Sequence, residues 1–266
     1  MPDAAELLDA YDAQLRTHVP ERLPAGVGFE RDGPLLRWYR VGGRGFVLYR
    51  DLGGLEGPAL DELIARQVSV FAGRGERFEW KLHGHDLPRD LPDRLRAQGF
   101  VPEEEETVVI ARVAEIASPP HLPEGVALRE VTARRDLDRI GALEHAVWGG
   151  DYPEWLAHNL EAELEADPDG LAVVVAEAEG TVVCAAWIRF EQGTDFATFW
   201  GGATLPEWRR RGIYRATVAH RAGLAAERGF RLLETDASDD SRPILERLGF
   251  TPVTTTTPYV WSPGSA

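Results

Sequence analysis

The chain has 266 residues, 44% of them hydrophobic and 27% charged, and a net charge of −15. That length suits one large or two small globular domains, and the acidic balance argues against nucleic-acid binding, whose electrostatic footprint is basic. No apolar run approaches the roughly 18 residues of a membrane span, residues 1–6 lack a signal-peptide pattern, and the single cysteine, Cys184, excludes an intramolecular disulfide; these features predict a soluble cytoplasmic protein with no membrane partner.

In chain order, residues 45–51 read as a strand, and Leu60, Leu63, Ile64, Gln67, Val68 and Phe71 then share one helical face. Residues 78–82 read as a second strand, residues 91–98 as a short helix, and Gly99-Phe100 leads into Thr- and Val-rich strands. The acidic run at 103–106 is expected on an edge strand, where charge blocks edge-to-edge association. His83-Gly84-His85-Asp86 lacks a further ligand set at fixed spacing and reads as a loop, so no metal is expected. Pro119, Pro120, Pro123 and Gly125 cannot continue a helix or a central strand. They mark a linker at 118–125 that separates residues 1–117 from residues 126–266.

The second part opens with a predicted strand at 126–131, a helix at 136–147 and another helix from about residue 153. Residues 171–178 and 181–190 form a hairpin through Glu179-Gly180, with Cys184 as a buried strand residue. Between the two helices, residues 147–152 combine Trp148, Asp151 and Tyr152 with two glycines, a mixture suited to ligand contact or to capping the helices. A strand at 196–204 leads into Arg209-Arg210-Arg211-Gly212-Ile213-Tyr214, and a helix follows over 213–227. Its small residues Ala216, Ala219, Gly223 and Ala226 are expected against the sheet. A strand at 231–236, a short helix at 239–248 and a final strand after Gly249-Phe250 complete the chain.

A strand, an Arg-rich turn containing Gly and a helix start together present consecutive backbone N–H groups to a phosphate. An ordinary basic loop is the alternative for those residues alone. This order of elements resembles the core of the GNAT superfamily of acyl-CoA-dependent N-acetyltransferases, whose phosphate loop has the form Gln/Arg-x-x-Gly-x-Gly/Ala and whose next helix usually ends in Leu-Gly-Phe. The corresponding residues are 209–214, preceded by Pro206, and Leu248-Gly249-Phe250. The resemblance covers about residues 125–262. It implies an α+β fold, a mixed central sheet with flanking helices, and acetyl-CoA as co-substrate. The thioester is expected against the backbone of Ala203 and Thr204. The rest of the cofactor is expected on Leu205, Arg209, Arg210, Arg211, Gly212, Ile213, Tyr214, Ser238 and Ser241, and the acceptor near Trp148, Asp151 and Tyr152.

The sequence departs from the family at two catalytic positions. Leu245 replaces the Tyr that protonates the leaving thiolate, and Thr198 stands where some members place a Glu base. Glu191, Glu234, Asp236 and Tyr259 are the substitute candidates. The first half weakly repeats the second, so the chain reads as two GNAT-like domains in tandem, either a monomer with pseudo-dimeric halves or a homodimer. The first-half loop at 51–58 has no Arg and carries Asp51 and Glu56, so it is expected to bind no cofactor. The expected activity is direct N-acetylation of a small amine in a ternary complex. A non-catalytic acyl-CoA-binding or scaffolding protein and an N-terminal peptide acetyltransferase are the alternatives.

Overall fold

The first half runs through α1 (Ala4–Gln14), β1 (Gly28–Asp32), β2 (Leu35–Val41), β3 (Arg44–Leu48), α2 (Gly57–Arg74), β4 (Phe78–His83), α3 (Leu91–Ala97), β5 (Val101–Pro102), β6 (Glu106–Arg112) and α4 (Val113–Ile116). The second continues with β7 (Val126–Glu130), α5 (Arg134–Trp148), α6 (Pro153–Ala166), β8 (Leu171–Ala178), β9 (Thr181–Phe190), β10 (Phe196–Thr204), α7 (Ile213–Glu227), β11 (Leu232–Ala237), α8 (Arg242–Leu248) and β12 (Thr251–Trp261). This computed structural model describes residues 3–149 and 153–264. Among them, no helix is long and apolar enough to cross a membrane.

The two halves share one mixed sheet, ordered β1-β2-β3-β4-β12-β6-β11-β10-β9-β8-β7, with β5 pairing to β12. Its centre is an exchange. The last long strand of the first half, β6, pairs antiparallel with β11 of the second half. The last strand of the second half, β12, pairs antiparallel with β4 of the first. The two exchanged strands also pair with each other. Residues 118–125 connect α4 to β7, and each side of that connection completes the sheet of the other.

Strand alternation assigns the faces. On one face, Val47, Phe78, Trp80 and Tyr259 pack under α2 and α3, and Val109, Ala111, Ala197, Phe199 and Leu233 pack under α7 and α8. On the other, α1 lays Leu7 and Tyr11 over Val108, Ile110, Phe196 and Leu232, while α5 and α6 cover Val173, Val175, Ala185 and Trp187. Residues of α1 and α6 on this second face line the cleft described below.

Several expectations change in position. Glu106 opens β6, an interior strand between β12 and β11, so the acidic run does not guard an edge. The helix expected from 239 begins at Arg242, because residues 239–241 form a turn. The inward face of α7 is centred on Val218, Ala222 and Ala225. Ala226, expected inward, is exposed, whereas Arg221 is buried. Residues 83–86 make side-chain contacts: His83 with Tyr11, His85 with Asp12 and Thr254, and Asp86 with Arg16 and Tyr49.

Candidate active site

The sequence sets up the turn before α7 by backbone geometry. Pro206 starts a single 3-10 turn at Pro206–Trp208. Arg210 takes φ 60° and Gly212 takes φ 84°, two left-handed residues that swing the chain into the helix. Gly212 caps α7 without a side-chain bond, and the first turn of α7 holds no acid. The first amides of a 15-residue helix therefore remain as donors for an anion. The three arginines differ. Arg209 lines the cleft and its Nε donates to the Thr204 carbonyl at 3.0 Å. Arg210 lines the cleft, while the Arg211 guanidinium stacks 4.6 Å from the Trp208 ring centroid.

Upstream, β10 follows β11 in parallel for only three residue pairs, the last being Thr198↔Glu234. Thr235 Oγ1 then donates to the Phe199 carbonyl at 2.9 Å, after which the strands part. On its other side β10 bulges against β9 between Gly201 and Ala203. Gly201 and Gly202 take φ 70° and 103°. A side chain at Gly201 would enter the Trp187 ring, and one at Gly202 would lie 2.7 Å from Tyr214. Both rings and the left-handed backbone thus require glycine here.

The parted strands open into a cleft of ≈ 1890 Å³ that both halves line. At one end are the Arg209–Arg210 turn, Tyr214, Ser238 and Ser241. Its floor is polar and buried. Glu191 accepts from Thr198 Oγ1 at 3.0 Å and faces His18 Nε2 at 3.5 Å. Thr198 in turn accepts from Trp200 Nε1 at 2.9 Å. Lys81, the only lysine in the chain, pairs with Asp236 from the opposite half. Burial opposes the Lys81 charge, but Asp236, Tyr11 and Glu234 outweigh it and raise its pKa. Burial, then repulsion from Asp236, holds the Glu234 carboxyl well above the usual carboxylate range. Burial pushes Glu106 up to about 7, with Asp236 adding to the effect. Burial also holds His83 down at about 4, and its Nε2 lies 3.0 Å from the Tyr11 hydroxyl.

Glu191, Glu234 and Asp236 come together here, as do Thr204, Arg209, Arg210, Gly212, Ile213, Tyr214, Ser238, Ser241 and Trp148. Ala203 and Leu205 pack into the cores beside the cleft, and Arg211 turns away onto Trp208. Tyr259 is a correction. Its strand neighbours Thr256 and Pro258 line the cleft, but Tyr259 pairs with Trp80 and is buried under α2 and α3, on the opposite face. Asp151 and Tyr152 lie outside the described residues. Cys184 is buried, accepts from Thr204 Oγ1 at 3.2 Å, and burial raises its thiol pKa, leaving it no nucleophilic role. His18, Lys81, Glu106 and Thr256 were not anticipated, because all but Thr256 belong to the first half and none sits in a local motif.

The corresponding parting in the first half is occupied by its own side chains. β3 follows β4 for three residue pairs, ending at Val47↔Trp80. Beyond that point, buried Arg16 donates from Nε to the Tyr49 carbonyl at 3.0 Å and from Nη2 to Asp86 at 2.8 Å. Tyr49 closes the set with a 2.5 Å bond to Asp86. In the loop before α2, Asp51 accepts from the Gly53 N–H at 2.8 Å, and proline occupies the first turn.

Residues 138–250 match the model of the acetyltransferase (GNAT) family. No curated protein matches the chain. Among solved structures, a GCN5-related N-acetyltransferase from Kribbella flavida is 16% identical, with a TM-score of 0.66, covering 98% of this chain and 94% of that one. A GCN5-related N-acetyltransferase from Sphaerobacter thermophilus is 12% identical, with a TM-score of 0.63 over 98% and 85% of the two chains. A tandem GNAT protein from the clavulanic acid biosynthesis pathway is 15% identical, with a TM-score of 0.64 over 97% and 94%. At these identities the structural likeness establishes a shared tandem fold.

Proposed function

Because residues 138–250 match the model of the acetyltransferase (GNAT) family, whose members transfer acetyl groups from acetyl-CoA, we propose that this chain N-acetylates a small cationic amine in a ternary complex. One acetyl-CoA would bind, in the second half, with its pyrophosphate on the amides of residues 212–215 and its thioester between β10 and β11. The observation that carries this reading is the continuity of the cleft, which runs from the phosphate turn past the parted strands to a buried acidic floor. Trp155 Nε1 donates to the Gly42 carbonyl of the β2–β3 turn. That bridge between the halves favours a compact acceptor over an extended peptide.

In this mechanism the acidic floor draws in the ammonium, and Glu191 accepts a proton from it, directly or through one water. The neutral nitrogen attacks the thioester carbon, the C–S bond breaks, and the second nitrogen proton passes through water in the open cleft to the departing thiolate. Leu245 is buried on the inner face of α8 and contributes no acid. His18 beside Glu191 makes the first half a contributor to the proton path without a cofactor of its own. The test is a panel of primary amines assayed for free CoA thiol, with Glu191→Gln as control. Turnover of at least one cationic amine, reduced on the order of 10²-fold in the variant, is expected for loss of a general base. Acetyl-CoA binding without thiol release from any amine would instead identify a non-catalytic acyl-CoA-binding protein.

A further inference from the structure

Arg221 lies on the inner face of α7, only 1% exposed, where its helical neighbours are Val218, Ala222 and Ala225. The groups that act on its charge are Tyr214 and Cys184, with no carboxylate among them. Burial lowers its pKa to about 10, which leaves it cationic at neutral pH. A buried guanidinium without a counter-ion is costly unless its donors are satisfied. Here the acceptors are backbone carbonyls. Nη1 donates to Trp187 at 3.0 Å and to Trp200 at 3.2 Å, and Nε donates to Thr217 on its own helix at 3.2 Å. The guanidinium also covers the Phe199 ring at 4.1 Å. Packing α7 onto the sheet needs none of these polar contacts.

The two strand carbonyls fix the orientation of one peptide. The Phe199 carbonyl accepts from Thr235 of β11 and therefore points toward that strand. One residue on, the Trp200 carbonyl shares Nη1 of Arg221 with the Trp187 carbonyl of β9, so it points toward β9. In a trans peptide the N–H opposes the C=O. The Gly201 N–H accordingly points to the edge where β11 has parted, into the cleft.

We infer that Arg221 is a positioning residue for the acyl group: by bridging the Trp187 and Trp200 carbonyls it locks the Trp200–Gly201 peptide so that the Gly201 N–H donates to the thioester oxygen. This rests on the acetyl-CoA reading above. As the amine attacks, the carbonyl π pair moves onto oxygen. It returns when the C–S pair departs to sulfur, and the remaining amine proton passes through water to the thiolate. The donor gains most at the point where the oxygen is anionic. A cation hydrogen-bonded to the other end of the same amide polarises it and strengthens the N–H as donor. The left-handed φ of Gly201 and the Trp187 ring beneath it hold the same peptide from the other side.

The test reads the bound thioester directly and needs no acceptor. Acetyl-CoA labelled with 13C at the thioester carbonyl is bound to the full-length wild type, Arg221→Gln and Arg221→Lys, and its stretching frequency is measured by difference infrared spectroscopy. Circular dichroism and calorimetry run alongside to confirm folding and binding. In the wild type the band should shift to lower frequency than in free acetyl-CoA. In the glutamine variant it should return toward the free value with little change in dissociation constant. The lysine variant, which keeps the charge but loses the Nε bond to Thr217 and the planar contact with Phe199, should fall between them. With the amine found above, kcat of the glutamine variant should fall on the order of 10²-fold, the cost of one oxyanion donor, while KM for acetyl-CoA barely moves. A folded, acetyl-CoA-binding glutamine variant with the wild-type frequency overturns the inference. If that variant does not fold, a lysine variant with the wild-type frequency overturns it equally. A wild type that binds acetyl-CoA with an unshifted band also refutes it, whereas a wild type that binds none refutes the acetyl-CoA reading beneath it.

Discussion

Removing the first half should unfold the second, because the exchange at the sheet centre takes away an interior strand. A fragment of residues 120–266 lacks β6, which pairs with β11 from Leu232↔Arg112 to Ala237↔Thr107 and also carries the ladder to β12. Val108, Val109 and Ile110 of that strand are fully buried, on both sheet faces. At about 1.5–3 kcal/mol for each such side chain, their loss removes about 5–9 kcal/mol. A domain has only about 5–15 kcal/mol of net stability. The fragment should therefore aggregate, or pair with a second copy through the unpaired edges of β11 and β12. Co-expression with residues 1–119 should restore a one-to-one complex with the size and acetyl-CoA affinity of the intact chain. The assays are size-exclusion chromatography, thermal melting followed by circular dichroism, and calorimetry. A monomeric 120–266 fragment that melts cooperatively and binds acetyl-CoA like the whole chain would refute the reasoning, since β12 must then close the second half unaided.

Two further outcomes follow from the site. Gly212→Asp should weaken acetyl-CoA binding by more than tenfold, about 1.4 kcal/mol or more, and by more than Arg209→Ala, Arg210→Ala or Arg211→Ala. A side chain there meets open space, so the damage comes from the left-handed φ of 84° and from a carboxylate competing for the free amides of α7; equal dissociation constants for the wild type and this variant would misplace the loop. Glu106→Gln should stabilise the fold increasingly as pH rises. With a folded pKa of about 7 against an ordinary 4.5, the native carboxyl keeps its proton while the unfolded one loses it, so the wild type loses stability between those values; the gap between the two proteins should grow by about 2–3 kcal/mol from pH 4 to pH 8 in urea melts, and parallel stability curves would show that the Glu106 carboxyl is not shifted.

Much of the site was legible because its geometry is local. Arg209-Arg210-Arg211-Gly212 needs only a turn with left-handed residues and a helix start. Glu179-Gly180 reads as a hairpin turn because both residues take positive φ, 50° and 77°, and Gly249 ends α8 at φ 108° as its sequence implies. The strand exchange was not legible. β6 and β12 are the closing strands of their halves, and which of them lies beside β11 is decided by the whole sheet rather than by either sequence. Arg221 escaped notice because the small residues on α7 suggested an inner face centred on Ala219 and Ala226, whereas the observed face carries Val218, Ala222 and Arg221. Tyr259 was misjudged by a one-residue change of strand face. Lys81, Glu106 and His18 enter the cleft only because the halves are joined, so no motif within either half could announce them.

The central claim is that one half of a joined pair holds the cofactor while the other half, its own parting filled by Arg16, Tyr49 and Asp86, holds none. Calorimetric titration of the full-length protein with acetyl-CoA tests it most directly. A single site per chain is expected, abolished or strongly weakened by Gly212→Asp. No heat of binding at millimolar acetyl-CoA, or two equivalents bound per chain, would contradict it.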